Sequence, residues 1–196
     1  MTDRDKNFKD FKNWVKSIYD LRGDDAGLSY HLWSHTDQVL EAGRDICIGE
    51  EVSRNDRYLL KTAIVAHDVG NVISRKGHED LSINFARTNL PYFGYDENQI
   101  NVVSGLIKAT EFPQEPKTHL EKIMCDADLS LMGLDSLIEN IDEYRKELGI
   151  SDLKNWYESQ IGFLSNYKWV TETAKMLYDF GKKSNISLYK KKLERL

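Results

Sequence analysis

Apolar residues recur at three- and four-residue spacing along almost the whole chain, and this periodicity restricts the fold more than any other feature. Near the start, Phe8, Phe11, Trp14, Val15 and Ile18 form one stripe of a helix that ends around Gly23. Strand-like alternation is hardly visible, and only three prolines interrupt the 196 residues. The pattern predicts an all-α protein. A second helix is expected from about Ser34 to Ile48, closed by Gly49, and a third, capped by Ser53 or Asn55, runs up to His67 and Asp68. A fourth ends at Asn89 before Pro91, and Asp96 caps a fifth. The sixth carries Leu120, Ile123, Met124 and Ala127, Asp135 caps a seventh, and Ser151 starts the two or three helices of the last third. Residues of that last third read as purely structural.

No Gly/Ser-rich or Pro-rich linker and no internal repeat divides the chain, so one compact helical bundle over residues 1–196 is expected. Its 27 basic and 32 acidic residues, for a net charge of -5, give no uniformly basic field and exclude a duplex nucleic acid as partner. No apolar run approaches the roughly 18 residues of a membrane helix. With a charged segment from Met1 to Asp10, the expectation is a cytoplasmic protein without membrane attachment. Cys47 and Cys125 are far apart and lack CxxC spacing, so both read as reduced packing thiols. Nothing in the pattern excludes a homodimer.

All five histidines, His31, His35, His67, His78 and His119, lie in the middle of the chain. His31 and His35, four apart, are expected on one face of a helical turn. His67 and Asp68 close an apolar helix, where an unpaired buried carboxylate costs several kcal/mol. A metal ion is one partner that removes this cost. Asp126 and Asp128 stand about 200° apart on a helical wheel and so are not both expected to point inward. Asp128 lies nearer the face of Leu120, Met124, Ala127 and Leu131 and is the candidate ligand, while Asp126 reads as a cap, pair or brace. Two imidazoles and two carboxylates suit Mn, Fe, Co, Ni, Zn or Mg rather than a thiolate-bound structural zinc.

The order His35, His67-Asp68, Asp128 resembles the signature of the HD superfamily of metal-dependent phosphohydrolases. Tyr30-His31-Leu32-Trp33-Ser34-His35 is similar to the YHxxxH segment of its small stand-alone bacterial members and of cyclic-nucleotide phosphodiesterases. Asp126-Ala127-Asp128-Leu129-Ser130-Leu131-Met132-Gly133 is similar to the DADLSxLG segment of the stand-alone members. The resemblance spans about residues 29–149 and extends more loosely through the C-terminal helices, 151–196.

That resemblance implies an HD-type helical bundle in which His35, His67, Asp68 and Asp128 ligate a divalent metal ion. The metal would polarise a phosphoryl oxygen and lower the pKa of a bound water. His31 is implied as general acid and Glu79 as a water-orienting or substrate residue. His78, Lys76 and Asp126 are candidates for substrate or a second metal, Arg75 and Lys108 for further positive charge, and His119 reads as an exposed loop histidine. Stand-alone members tend to carry a histidine shortly after the threonine matching Thr110, whereas Glu111, Phe112 and Pro113 follow here, which counts against a dinuclear centre. Trp14 and Trp33 read as core aromatics, with base stacking as the alternative for a tryptophan beside two histidines. The expected activity is hydrolysis of a phosphoester or phosphoanhydride bond in a small phosphorylated molecule, with nucleotides favoured. The alternatives are an HD-type di-iron oxygenase and a non-catalytic nucleotide-sensing module.

Overall fold

Side-chain caps decide where most of the helices begin. In the computed structural model, which describes every residue except Met1 and Asp24, Thr2 accepts the Asp5 N–H ahead of α1 (Asp3–Arg22). Helix α2 (Trp33–Gly49) has no such cap, whereas Ser53, and not Asn55, caps α3 (Arg54–Ala66). Helix α4 (His78–Asn89) follows, then α5 (Glu97–Lys108) under Asp96 and α6 (His119–Asp128) under Thr118. Asp135 does not cap α7 (Leu137–Glu147): Ser136 holds the cap position and makes no side-chain bond there. Asp152 rather than Ser151 opens α8 (Leu153–Asn166), and Thr171 opens α9 (Glu172–Leu193). Short 3-10 turns cover Val69–Val72, Leu90–Phe93 and Ser130–Gly133, and the described residues contain no strand. The fold is all-α, and among the described residues no helix is long and apolar enough to cross a membrane.

The core lies where α2, α3, α5 and α6 meet. Ile46, Leu60, Ile64, Leu106, Ile107 and Ile123 are buried there, and each such side chain contributes about 1.5–3 kcal/mol of burial energy. Trp14 stacks on Phe85 with ring centroids 5.1 Å apart, and buried Trp33 packs on Tyr19, so both tryptophans are core residues. Cys47 and Cys125 are free and buried. Helix α9 lies across the Ser130–Gly133 turn, where Gly181 meets Gly133 so closely that a Cβ at Gly181 would overlap the Gly133 carbonyl.

A second close approach shapes the middle of the molecule. Gly70, in the turn that follows His67 and Asp68, packs against the start of α4, and a Cβ there would overlap the His78 carbonyl oxygen. The Gly70 N–H donates to the buried Ser82 hydroxyl at 2.9 Å. Together these contacts hold His78 against Asp68. Gly70→Ala should therefore destabilise the protein by about 3 kcal/mol in urea unfolding. Gly105→Ala, inside α5 with its nearest neighbour at an ordinary 3.8 Å, should be neutral or stabilise by up to about 1 kcal/mol.

Candidate metal centre

Three helix ends bring the cluster together. His35 stands in the first turn of α2, His67 directly follows α3, and Asp128 is the last residue of α6. Asp68 leaves the helical conformation, with φ -105° and ψ 0°, which turns its carboxylate back toward the two imidazoles. His67 Nε2 lies 3.2 Å from Asp68 Oδ2 and 3.3 Å from Asp128 Oδ1. His35 Nε2 lies 3.4 and 3.5 Å from the same two oxygens. Donor atoms of His35, His67 and Asp128 all lie within 4.8 Å of one another, an arrangement that can hold a metal ion.

The chemistry of this donor set fits a divalent cation. His67 Nδ1 sits 2.7 Å from the Ile64 carbonyl, which accepts its N–H and leaves Nε2 facing the carboxylates. That Nε2 is buried without a hydrogen-bond partner. Burial opposes charge on His67, yet the carboxylates of Asp68 and Asp128 overcome it and hold the imidazole pKa well above its ordinary value. Burial likewise works against the Asp128 carboxylate, but the imidazoles of His35 and His67 beside it bring its pKa down to about 2. The pocket therefore demands positive charge, and mixed nitrogen and oxygen donors match first-row transition ions and magnesium.

Around this cluster the other expected residues fall into two groups. His78 opens α4 and places Nε2 3.2 Å from Asp68 Oδ1, so Asp68 has one oxygen toward His35 and His67 and the other toward His78. Glu79 lines the same cavity, its Oε2 3.4 Å from His78 Nδ1. Lys76, by contrast, is exposed and does not line the cavity, and Lys108 is spent on Asp80 and Glu111 at 2.8 Å each. His119 is the first residue of α6 rather than part of a loop, and its exposed ring lies 3.4 Å from Glu50.

Asp126 is not positioned for substrate or a second metal. It is fully buried beneath the start of α9, where it accepts the N–H groups of Val170 and Thr171 and the hydroxyls of Thr171 and Tyr167. Asp126 and Asp128 are both withdrawn from water, contrary to the wheel argument, because α9 covers the face that an isolated helix would present to solvent.

His31 does not belong to a helical turn with His35. The N–H groups of Ser29, Tyr30 and His31 all donate to Glu147 Oε2, at 2.9, 2.7 and 3.1 Å, and the chain bends around that carboxylate before α2 begins. Glu147 Oε1 accepts from His31 Nδ1 at 2.6 Å and from Arg75 Nη2 at 2.8 Å. The His31 and His35 ring centroids are 6.0 Å apart. Glu147 escapes a reading of the sequence because a glutamate ahead of Gly149 at a helix end looks solvated; no local signal marks it. Neither is the last third purely structural. Trp156, Ser159, Gln160, Phe163 and Leu164 of α8 line the cavity, which measures about 520 Å³ and also receives Tyr30, His31, Asp68 and Thr110.

These placements separate two neighbouring carboxylates by role. Asp126→Asn should cost about 3 kcal/mol of stability, read by urea unfolding, while leaving metal uptake intact in the folded fraction. Asp128→Asn should lose metal with a smaller change in stability. For Glu147, burial opposes the charge, but the His31 hydrogen bond and charge and the backbone donors lower its pKa from 4.5 to about 2. A carboxyl whose pKa falls on folding stabilises the fold above its unfolded pKa and loses that contribution as pH drops through the folded one. Glu147→Gln should thus destabilise by about 3 kcal/mol at pH 7, and the gap to wild type should close between about pH 4.5 and pH 2 in acid unfolding curves.

Comparison with known proteins agrees with this geometry. No curated protein shows significant sequence similarity to the chain. The fold is similar to a crystal structure described as a predicted HD superfamily hydrolase from an uncultured Thermotogales bacterium. The two align with a TM-score of 0.66 and 19% identity over 95% of this chain and 91% of that one. At that identity the likeness speaks to the fold. The HD domain family model matches residues 32–132, just over half of the chain and the segment that carries His35, His67, Asp68 and Asp128; the protein belongs to the HD domain family.

Proposed function

We propose that the protein is a metal-dependent phosphohydrolase that cleaves a phosphoester or phosphoanhydride bond in a small molecule. The observation that carries this reading is the convergence of two imidazoles and two carboxylates on one edge of a cavity that also contains His31. His35, His67, Asp68 and Asp128 would hold the cation. Once bound, such an ion supplies Lewis acidity, drawing charge from a phosphoryl oxygen and acidifying water.

The remaining chemistry belongs to side chains of this protein. As the oxygen of water bonds to phosphorus and the bond to the leaving oxygen breaks, that oxygen needs a proton. His31 is the donor: Glu147 engages Nδ1, which fixes the ring orientation and leaves Nε2 to carry the proton to the leaving group. Tyr30 and Tyr144 pack on the His31 ring with centroids 4.8 and 5.3 Å away and limit its movement. Glu79, in the cavity beside His78, is assigned to orienting the attacking water. His78, on the second oxygen of Asp68, is the residue placed to serve a second cation. A di-iron oxygenase gains nothing from His119, which stands outside the cavity.

Elemental analysis of purified protein and a phosphate-release screen with Mn, Co, Ni and Mg supplied separately test the reading, with nucleotides and an aryl phosphate as substrates. Turnover should require metal and stop on chelation, and His67→Ala and Asp68→Ala should lose both metal and activity. His31→Ala should keep its metal while kcat falls by about 10²–10⁴. Equal metal content in wild type, His67→Ala and Asp68→Ala, or turnover indifferent to chelators, would refute it.

A further inference from the structure

The cavity is chemically divided. Its metal-cluster side brings three carboxylates, Asp68, Asp128 and Glu79, to the lining, and among the described residues no lysine or arginine lines it. Arg75 stands nearby without lining the cavity: its Nη2 donates to Glu147 Oε1 at 2.8 Å and to the Glu147 carbonyl at 3.2 Å, and its Nη1 is buried without a partner. One phosphoryl group can be balanced by a divalent cation and the imidazoles. The further phosphates of a di- or triphosphate would meet carboxylates and no basic side chain in the lining, at the cost that uncompensated buried charge carries.

Elsewhere the lining is mostly apolar, with the Tyr144 hydroxyl and the Gln160 amide as polar groups among it. Met132, Leu137, Ile141, Leu148, Trp156 and Leu164 come from the Ser130–Gly133 turn, α7 and α8. Two hydroxyls in the lining already donate to backbone carbonyls, Thr110 to Ile107 at 2.8 Å and Ser159 to Trp156 at 2.7 Å, so neither offers its proton to a sugar. Phe112 and Phe163 pack edge to face with centroids 5.6 Å apart, and both line the cavity while remaining 55% and 37% exposed. Apolar rings left open to water beside a cavity of small-molecule size are surface that a ligand can cover.

We propose that the substrate is a monophosphate ester of an apolar alcohol, with the phosphoryl group at the metal cluster and the hydrocarbon portion against α7, α8 and Phe112. For its phosphoryl end this rests on the phosphohydrolase reading above; the apolar end rests on the lining alone.

Two measurements on the metal-supplemented full chain separate them. The first is kcat/KM for ethyl, butyl and hexyl phosphate, whose leaving groups are chemically alike, against AMP, ADP and ATP. The second is calorimetric binding of ethylphosphonate and hexylphosphonate, which are not hydrolysed. Kcat/KM should rise about fourfold per added methylene until the cavity is filled, and hexylphosphonate should bind on the order of a hundredfold more tightly than ethylphosphonate. Phe163→Ser, at a partly exposed position, and Ile141→Asn should each flatten the dependence on chain length. Hydrolysis indifferent to chain length, or faster with ADP or ATP than with hexyl phosphate, overturns the proposal and leaves the phosphohydrolase reading standing. Chain-length-dependent phosphonate binding with no turnover of any phosphate supports the apolar assignment and overturns the hydrolase reading. Equal binding of the two phosphonates without turnover overturns both.

Discussion

Two carboxylates held out of water beside two imidazoles are the constraint on which the rest of this structure depends. Asp68 and Asp128 approach the Nε2 atoms of His35 and His67 to within 3.2–3.5 Å, and burial of all four leaves little solvent to screen them. Such an arrangement is stable only if positive charge is supplied, by protons on the rings or by a cation. Helix ends can present these groups where helix interiors would not, because the chain changes direction at Ala66 and at Asp128 and the side chains project from the break. Gly70 then allows α4 to close over the turn and bring His78 to the second oxygen of Asp68.

Two more buried carboxylates assemble the shell around that centre. Glu147 gathers three backbone N–H groups, the His31 ring and Arg75, and so joins the segment before α2 to the end of α7. Asp126 gathers the start of α9 and Tyr167. Both act as anion sites for backbone donors that would otherwise lack partners, and each draws a distant part of the chain onto the motif-bearing helices. The last third of the protein is part of the cavity as well, since α8, packed on α9, lines it.

Much of the helical framework was legible because burial writes a 3.6-residue period into the sequence and caps punctuate it. Ser53, Asp96, Gly49 and Pro91 mark real boundaries. Asp135 and Ser151 do not: α7 begins after Ser136 without a side-chain cap, and Asp152, one position on from Ser151, caps α8. His67, Asp68 and Asp128 were legible for a different reason: a charged or polar residue in an apolar helical run must be explained, whereas His35 was picked out by the resemblance of its segment to the family motif. Lys76 illustrates the limit, since adjacency in sequence to His78 says nothing about which way a loop side chain points, and here it points to solvent.

The sequence by itself determined the all-α class, most helix positions and, with the family resemblance, the residues forming the polar cluster, because periodicity, capping, motifs and unpaired charge are properties of short segments. Only the tertiary structure decided that Glu147 orients His31, that Asp126 braces α9 and that α8 walls the cavity. Those relations join residues 41 to more than 110 positions apart, and contacts at such separations depend on how whole helices pack, which leaves no period and no local signature in the chain.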